Sequence, residues 1–393
     1  MPEPGDARVV IPLLAQAQLA NPSSLVTIVA GVLAPHGFGD VDVYLADHDL
    51  ETLVAAPGST ATGTDRAAVP VDGSEEGRCF RSQSVVESDD DVWRVRVPVS
   101  ESSERLGVLT ATGKERSDVA RVVVHEVAAV LGQLLANRDR YTDVFMRTRR
   151  RHAMQLQAEM QWGLLPPLAF ACEGASVAGL LEPAYHIGGD SFDYALNDEV
   201  LHFGIFDSMG HDLTASMLTS LAVATYRNCR RERVDLVATL DAIDAAITSE
   251  FADKWVTLQL GELDTSTGRC RWVNAGHPLP LLVRERRIVG ELGCPPCLPA
   301  GLGAHATQVA EVDLRPGDLL FFYTDGVIEA RDRNGRQFGE DALRGVLMER
   351  VTLGELPAEI LRGLLRAVIE HQHERLRDDA TAMLLGMHPT TAA

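Results

Sequence analysis

With 393 residues, 46% of them hydrophobic, the chain is long enough to bury two or three cores and is neither disordered nor fibrous. Its 36 basic and 56 acidic residues leave a formal net charge of −20, which argues against nucleic acid or an anionic membrane surface as its main partner. No basic N-terminal segment precedes a long apolar stretch, and no window approaches roughly 18 uninterrupted apolar residues. We therefore expect a cytoplasmic protein.

Six cysteines in so long a chain do not form a disulfide framework, which fits a reducing compartment. Only Cys294 and Cys297, separated by two prolines, have the spacing of a metal or redox motif. A structural zinc site needs about four ligands, and no second CxxC or HxxxH pair accompanies this one. We interpret the segment as an ordinary loop with two thiols.

Residues 1–20 are interpreted as an extension, and residues 21–116 have the pattern of a small α+β domain. An apolar segment at 25–33 predicts a helix that ends near the Pro and Gly that follow it. Alternating apolar and polar residues predict strands at 41–45, 93–97 and 106–112. This element order, with the closing segment VPVSESSERLGVLTATG, resembles the GAF family of small sensory domains.

Residues 117–165 contain hardly any Gly or Pro and predict a linker helix that stops before Pro166 and Pro167. Apolar residues fall near heptad spacing at Val124, Val127, Leu131, Leu134, Tyr141 and Phe145. Arginines at 138 and 147–151 interrupt this stripe. The pattern therefore fits either a homodimer through the linker helix or a helix packed on the flanking domains.

Beyond residue 166, strand-like and helix-like segments alternate to the end of the chain. The predicted strands are 201–206, 255–263, 269–274, 279–284, 319–324 and 380–385, and the predicted helices are 213–227, 236–251, 340–350 and 356–373. The segment DTSTG at 264–268 predicts a hairpin turn. Hairpins together with pairs of long helices favour antiparallel sheets covered by helices.

Four aspartates stand in turns beside apolar segments of this region. They are Asp190 in GGDSFDY, Asp207 in FGIFDSMGHD, Asp325 in LLFFYTDGV and Asp378 in RDDATAMLL. A carboxylate at the end of a buried strand loses hydration, and a hard cation such as Mg²⁺ or Mn²⁺ compensates for that loss. Each motif alone is typical of a turn, but together they predict a metal-dependent hydrolase.

In motif order, residues 164–387 resemble the SpoIIE-type branch of the PPM metal-dependent protein Ser/Thr phosphatases. The matching segments are GLLPP, EPAYHIGGDSFDYA, FGIFDSMGHD, WVTLQLGELDTSTGRCRWVNAGHPLPLLV, LRPGDLLFFYTDGVIEA and RDDATAMLL. The resemblance implies that residues 166–393 form an αββα sandwich that holds two Mn²⁺ or Mg²⁺ ions.

The same resemblance implies the ligands of the two ions. Asp190 and Asp207 would be bridging or first-metal ligands together with the carbonyl of Ser208, and Asp325 and Asp378 would bind the second ion. Two catalytic residues are also predicted. Asp379 would hold a metal-bound water or orient its neighbour, and His277 in NAGHP would serve proton transfer or substrate positioning, unless it only packs in its turn.

Two residues depart from the family pattern: Ser208 follows Asp207, and Asp212 replaces the last Gly of Met-Gly-His-Gly. Asp212 can cap the next helix, or it can repel a phosphate. The leading hypothesis is a sensor-regulated protein phosphatase that acts on a phosphorylated anti-sigma-factor antagonist. A weak pseudo-phosphatase that acts as a binding module is the alternative, and the acidic charge disfavours a two-metal nuclease.

Overall fold

Two separate groups of strands divide the chain into an N-terminal unit, Met1–Ala153, and a C-terminal unit, Met154–Ala393. The computed structural model describes residues 7–89, 92–186, 188–295, 297–303, 307–372 and 378–389. The division falls within the segment 117–165, which the sequence predicted to be a linker between two domains.

The N-terminal unit is built around one antiparallel sheet. Its elements are α1 (Ala7–Ala17), α2 (Leu25–Leu33), β1 (Phe38–Ala46), β2 (Thr52–Ala55), β3 (Ala68–Pro70), α3 (Glu75–Ser82), β4 (Val86–Ser88), β5 (Trp93–Glu101), β6 (Glu104–Gly113), α4 (Asp118–Arg138) and α5 (Val144–Arg149). The strand order is β3-β2-β1-β6-β5-β4. The predicted helix at 25–33 and the three predicted strands all lie in these elements.

Alternate residues of the strands carry the apolar side of this sheet. Val43 and Leu45 of β1 and Val95 and Val97 of β5 are buried in one core with side chains of α1, α2 and α4. The period of two places these side chains on one face, as the sequence predicted. Within the supposed extension, α1 contributes Val9 and Leu13 to the core. The α+β prediction is confirmed, and the likeness to GAF domains stays a prediction.

The segment 117–165 is not one helix. It contains α4, α5 and, in the C-terminal unit, α6 (Leu156–Leu164). At the end of α4 the guanidinium of Arg138 is buried and donates to the backbone carbonyl of Ala17, so this arginine fastens the helix end to α1. The heptad pattern did not reveal this local anchor.

The apolar stripe of α4 is used inside the N-terminal unit. Val124, Val127 and Leu131 are fully buried in its core, which matches packing on a flanking domain rather than an exposed dimer seam. Among the described residues, α4 is the one helix whose length and composition would let it cross a membrane. Core helices of soluble proteins can have the same length and composition, and α4 has the buried apolar stripe of a core helix.

The C-terminal unit contains two sheets and five longer helices within its described residues. After α6 its elements are β7 (Ala169–Ala171), β8 (Ala175–Glu182), β9 (Asp190–Asn197), β10 (Val200–Ser208), α7 (Leu213–Arg231), α8 (Leu236–Glu250), β11 (Val256–Asp264), β12 (Arg269–Ala275), β13 (Leu281–Arg284), β14 (Arg287–Glu291), β15 (Ala310–Asp313), β16 (Leu319–Tyr323), α9 (Asp325–Glu329), α10 (Gly339–Leu353), α11 (Pro357–His371) and β17 (Ala380–Met387). Every predicted strand and helix of this region overlaps one of these, and residue 373 lies outside the described residues.

The two sheets are antiparallel and stack face to face. Their strand orders are β15-β12-β11-β10-β9 and β14-β13-β16-β17-β8-β7. Phe203 of β10 and Phe322 of β16 meet between them with ring centroids 5.2 Å apart. Helices α7 and α8 cover the first sheet, while α11 covers β8 and β17 of the second. The predicted αββα sandwich is confirmed.

Candidate metal centre

Asp190 and Asp207 face each other across two neighbouring strands. Asp190 is the first residue of β9, Asp207 is the penultimate residue of β10, and the antiparallel register pairs them directly. Directly opposed residues have Cβ atoms about 4.5–5.5 Å apart. The hairpin therefore brings two carboxylates to one end of the first sheet.

The second sheet contributes three more carboxylates at its own strand ends. Asp325 begins α9 immediately after β16, and Asp378 and Asp379 directly precede β17. Strands β16 and β17 are paired, with Tyr323 opposite Ala382, so these ends coincide. Asp378 and Asp325 are exposed, whereas Asp379 is buried.

Hydrogen bonds join the two strand ends into one site. Thr324 Oγ1 donates to Asp190 Oδ2 at 2.7 Å. Asp379 Oδ2 accepts from the backbone amides of Gly188 at 2.9 Å, Gly189 at 2.5 Å and Asp190 at 3.4 Å. The turn that presents Asp190 is thus held by residues of the second sheet.

The aspartates lie close enough to perturb one another's ionisation. Burial raises the pKa of Asp190 well above its usual range, and the charges of Asp207 and Asp379 raise it further. Burial, followed by repulsion from Asp325, Asp378 and Asp379, raises the pKa of Asp207 to about 8. Burial also raises the pKa of Asp379, to about 6. A positive charge among these carboxylates would remove the repulsion.

The donors at the joined strand ends are carboxylate oxygens, which suit a hard cation. Among the described residues, no group of three or more His, Cys, Asp or Glu side chains is arranged so that it could hold a metal ion. Mg²⁺ does not need such a group, because it keeps several waters and binds proteins through one or two carboxylates. Pairs of aspartates at the joined strand ends therefore fit hard divalent ions that retain much of their hydration.

Two glycines let the Asp190 turn approach the loop that follows β10. A Cβ on Gly189 would lie 2.3 Å from the carbonyl oxygen of Gly210 and 3.0 Å from that of Ser208. A Cβ on Gly188 would lie 2.4 Å from the carbonyl oxygen of His211. Only glycine permits this approach, which places the Ser208 carbonyl beside the Asp190 turn.

Side chains of α6 and α7 hold the carbonyl groups of the same turn. Gly188 O accepts from Ser216 Oγ at 2.6 Å and from Gln161 Nε2 at 3.1 Å. Gly189 O accepts from Thr219 Oγ1 and from Ser208 Oγ, the latter at 3.1 Å. The turn therefore has partners on both its amide and its carbonyl groups.

The two departures from the family pattern have local roles. Asp212 is the N-cap of α7, where its Oδ1 accepts from Ala215 N at 2.9 Å. Ser208 is buried, and its hydroxyl lies 3.1 Å from the carbonyl oxygens of Gly189 and Ala215. The capping alternative for Asp212 thus has direct geometric support.

His277 is linked to Asp207 through the side chain of Thr257. Its Nδ1 is 3.0 Å from Thr257 Oγ1, which lies 3.4 Å from Asp207 Oδ2. Burial lowers the pKa of His277 to about 3, so the ring is neutral near pH 7. Asn274 fixes the turn through bonds of 2.8 Å to the backbone N and O of His277.

Several residues of the site escaped the sequence analysis. Thr324, Thr257, Ser216, Thr219 and Gln161 bear ordinary hydroxyl or amide groups, and only their folded positions reveal them. Thr324 alone carried a signal, since it directly precedes Asp325 in the quoted segment. Cys294 and Cys297 are free cysteines, and Cys297 Sγ lies 3.2 Å from Asn274 O.

A two-sheet sandwich with acidic residues gathered at its joined strand ends has the architecture of the PPM, or PP2C, phosphatases. Residues 197–388 match the family model described as Stage II sporulation protein E (SpoIIE). The match starts seven residues after Asp190 and includes the other predicted ligands.

Individual proteins are also similar to more than half of this chain. Protein IcfG of Synechocystis sp. is 25% identical over 258 residues, which cover 58% of this chain and 40% of that protein. The chain thus spans less than half the length of this relative. The RsbU and RsbW domains of Rv1364c from Mycobacterium tuberculosis show 26% identity, cover 56% of this chain and 62% of that one, and superpose with a TM-score of 0.48. The SiaA-PP2C domain of Pseudomonas aeruginosa shows 22% identity, with coverages of 58% and 91% and a TM-score of 0.49.

Proposed function

We propose that the C-terminal unit is a metal-dependent protein serine/threonine phosphatase. The observation that carries the proposal is the meeting of Asp190 and Asp207 from one sheet with Asp325, Asp378 and Asp379 from the other. So many mutually repelling carboxylates oppose folding unless they serve a cation. The match of residues 197–388 to the SpoIIE family model supports the same chemistry.

The proposed ligands of two Mn²⁺ or Mg²⁺ ions divide between the sheets. Asp190, Asp207 and the Ser208 carbonyl would hold the first ion, and Asp325 and Asp378 would hold the second. Such ions, when bound, neutralise phosphoryl oxygens and activate water for in-line attack. The chain's own residues orient the carboxylates: Thr324 fixes Asp190, and Thr257 lies against Asp207.

Asp379 and His277 are proposed to act through other residues. Asp379 receives the amides of Gly188 and Gly189, so it shapes the turn that presents Asp190. His277 is buried and neutral, which suits orientation of Thr257 better than donation of a proton. Both are therefore positioning residues in this proposal.

The proposed substrate is a phosphorylated protein, and the SpoIIE resemblance favours an anti-sigma-factor antagonist in a partner-switching pathway. The N-terminal unit is proposed to act as the sensor, in a cytoplasmic protein. A homodimer through residues 117–165 would have to use the exposed apolar side chains Val119, Val122, Tyr141 and Leu156, since most of the predicted stripe is buried. The pseudo-phosphatase hypothesis rests on Ser208 and Asp212, and both have structural partners.

The test is Mn²⁺-dependent hydrolysis of a phosphoserine peptide by the full chain. Asp207→Ala and Asp325→Ala should each abolish turnover while circular dichroism shows a retained fold. Asp341→Ala, at an exposed aspartate of α10, is the matched control and should be fully active. Activity that survives loss of Asp207 and Asp325 would contradict the proposal.

A further inference from the structure

A cavity lies at the opposite end of the β9–β10 hairpin from the aspartates. It has a volume of about 920 Å³ and is bordered by the hairpin turn, the end of α7 and the start of α8. Asp190 and Asn197 are the two ends of β9, and at about 3.3 Å per residue their separation is about 23 Å. The cavity is therefore distinct from the candidate metal centre.

Four arginines line this cavity in a chain whose net charge is −20: Arg230, Arg231, Arg233 and Arg271. Arg230 is held in place, because it donates to Asp193 Oδ2 at 2.8 Å and its guanidinium stacks over Tyr226 at 5.0 Å. Arg271 lies 3.2 Å from Glu311. Two of the four guanidinium groups are thus oriented by the protein itself.

Arg231 and Arg233 are exposed. Within the described part of the chain, neither guanidinium has an ion-pair or hydrogen-bond partner. A cation in the last turn of a helix favours the helix dipole, which accounts for Arg231 at the end of α7. That explanation does not extend to Arg233, which follows the helix, or to Arg271 on a strand.

Two of the three acidic residues that line the cavity already have partners. Asp235 caps α8 by accepting from Ala238 N at 2.9 Å. Glu262 lies 3.6 Å from His202 and 3.9 Å from Arg271. Asp198 remains, at the tip of the hairpin. A ligand that contacts the arginines must therefore carry more than one negative charge to be held firmly.

We propose that this cavity binds a small anion that carries a di- or triphosphate group. Guanidinium groups match phosphate oxygens in geometry and remain charged at every relevant pH. The volume lies in the range of about 300–1,000 Å³ found for small-molecule sites, so it accommodates a nucleotide as well as free pyrophosphate. The site is independent of the proposed phosphatase chemistry.

The test is calorimetric titration of the full chain with inorganic pyrophosphate and, separately, with a nucleoside triphosphate. EDTA is present throughout, so that phosphate binding through divalent ions does not contribute. The double variant Arg231→Gln with Arg233→Gln should weaken binding at least tenfold. The control, Arg287→Gln with Arg315→Gln, removes the same charge from exposed arginines elsewhere in the unit and should bind like the unaltered chain.

The two probes distinguish the sources of the phosphate group. Saturable binding of pyrophosphate that depends on Arg231 and Arg233 supports the site and shows that the phosphates suffice. Binding of the nucleotide alone, with the same dependence, supports it and adds recognition of the nucleoside. Binding of neither probe, or equal weakening by both double variants, overturns the proposal. Thermal melting of each variant verifies the fold.

Discussion

Thr324 Oγ1 donates a 2.7 Å hydrogen bond to Asp190 Oδ2 and accepts one of 2.9 Å from Thr381 N. Thr324 is fully buried, so Thr324→Val would leave a carboxylate and an amide without this partner. We expect the free energy of unfolding to fall by about 1–3 kcal/mol and Mn²⁺ to bind more weakly. Chemical denaturation and calorimetry measure the two effects. Thr324→Ser should retain both the stability and the Mn²⁺ affinity. If Thr324→Val binds Mn²⁺ with unaltered affinity, Thr324 does not contribute to the site.

Asp207 opposes folding in the absence of a cation, because its carboxyl group is buried and is also repelled by Asp325, Asp378 and Asp379. In EDTA, Asp207→Asn should therefore raise the unfolding free energy, by about 1–2 kcal/mol. In excess Mn²⁺ the unaltered chain should be more stable than Asp207→Asn, since only the unaltered chain gains the full binding energy of the ion. Urea denaturation under both conditions makes the comparison. If Asp207→Asn is the more stable protein in EDTA and in excess Mn²⁺ alike, Asp207 binds no ion.

Gly189 is required by the close approach of two loops. In Gly189→Ala the new methyl would lie 2.3 Å from the carbonyl oxygen of Gly210, so the turn before Asp190 must shift. We expect at least a tenfold loss of phosphatase turnover, measured with the phosphoserine peptide. Gly163→Ala in α6 is the control, because nothing lies within 4 Å of its added Cβ. It should keep full activity and gain up to about 1 kcal/mol of stability.

His277 should make stability depend on pH in one direction. Its folded pKa of about 3 lies below the ordinary value of 6.5, so the unfolded chain binds the proton more tightly. Stability from this group is then complete above pH 6.5 and falls with decreasing pH, by about 1.4 kcal/mol per unit towards pH 3. Comparison of the unaltered chain with His277→Gln, by urea denaturation at pH 7.5 and 4.5, isolates the effect from His48 and His202. If the free energy of unfolding falls equally in both proteins between pH 7.5 and 4.5, His277 is not buried as a neutral ring.

Strand-end aspartates were the most predictable part of this molecule. Asp207 and Asp325 follow apolar segments long enough to be buried strands, so their position at a sheet edge follows from the periodicity alone. The prediction that two sheets meet at that edge came from the family resemblance, because the contacts between them join residues more than a hundred positions apart. Local patterns carry no information about such distant pairs.

Other features depended on contacts that no local pattern records. The segment 117–165 has helical composition throughout, yet α4 ends where Arg138 reaches the carbonyl of Ala17. The role of Asp379 depends on the amides of Gly188 and Gly189, nearly two hundred residues away. The arginine-lined cavity likewise combines a hairpin, two helix ends and Arg271 on β12.

The most direct test of the central claim is the number of Mn²⁺ ions bound by the full chain. Calorimetry on protein freed of metal, supported by anomalous scattering from crystals, should give two ions per chain, positioned between Asp190, Asp207, Asp325 and Asp378. Asp207→Asn and Asp325→Asn should each reduce the count or the affinity, whereas Asp341→Asn should change neither. A chain that binds no Mn²⁺, or that binds it equally well without Asp207 and Asp325, would contradict the account.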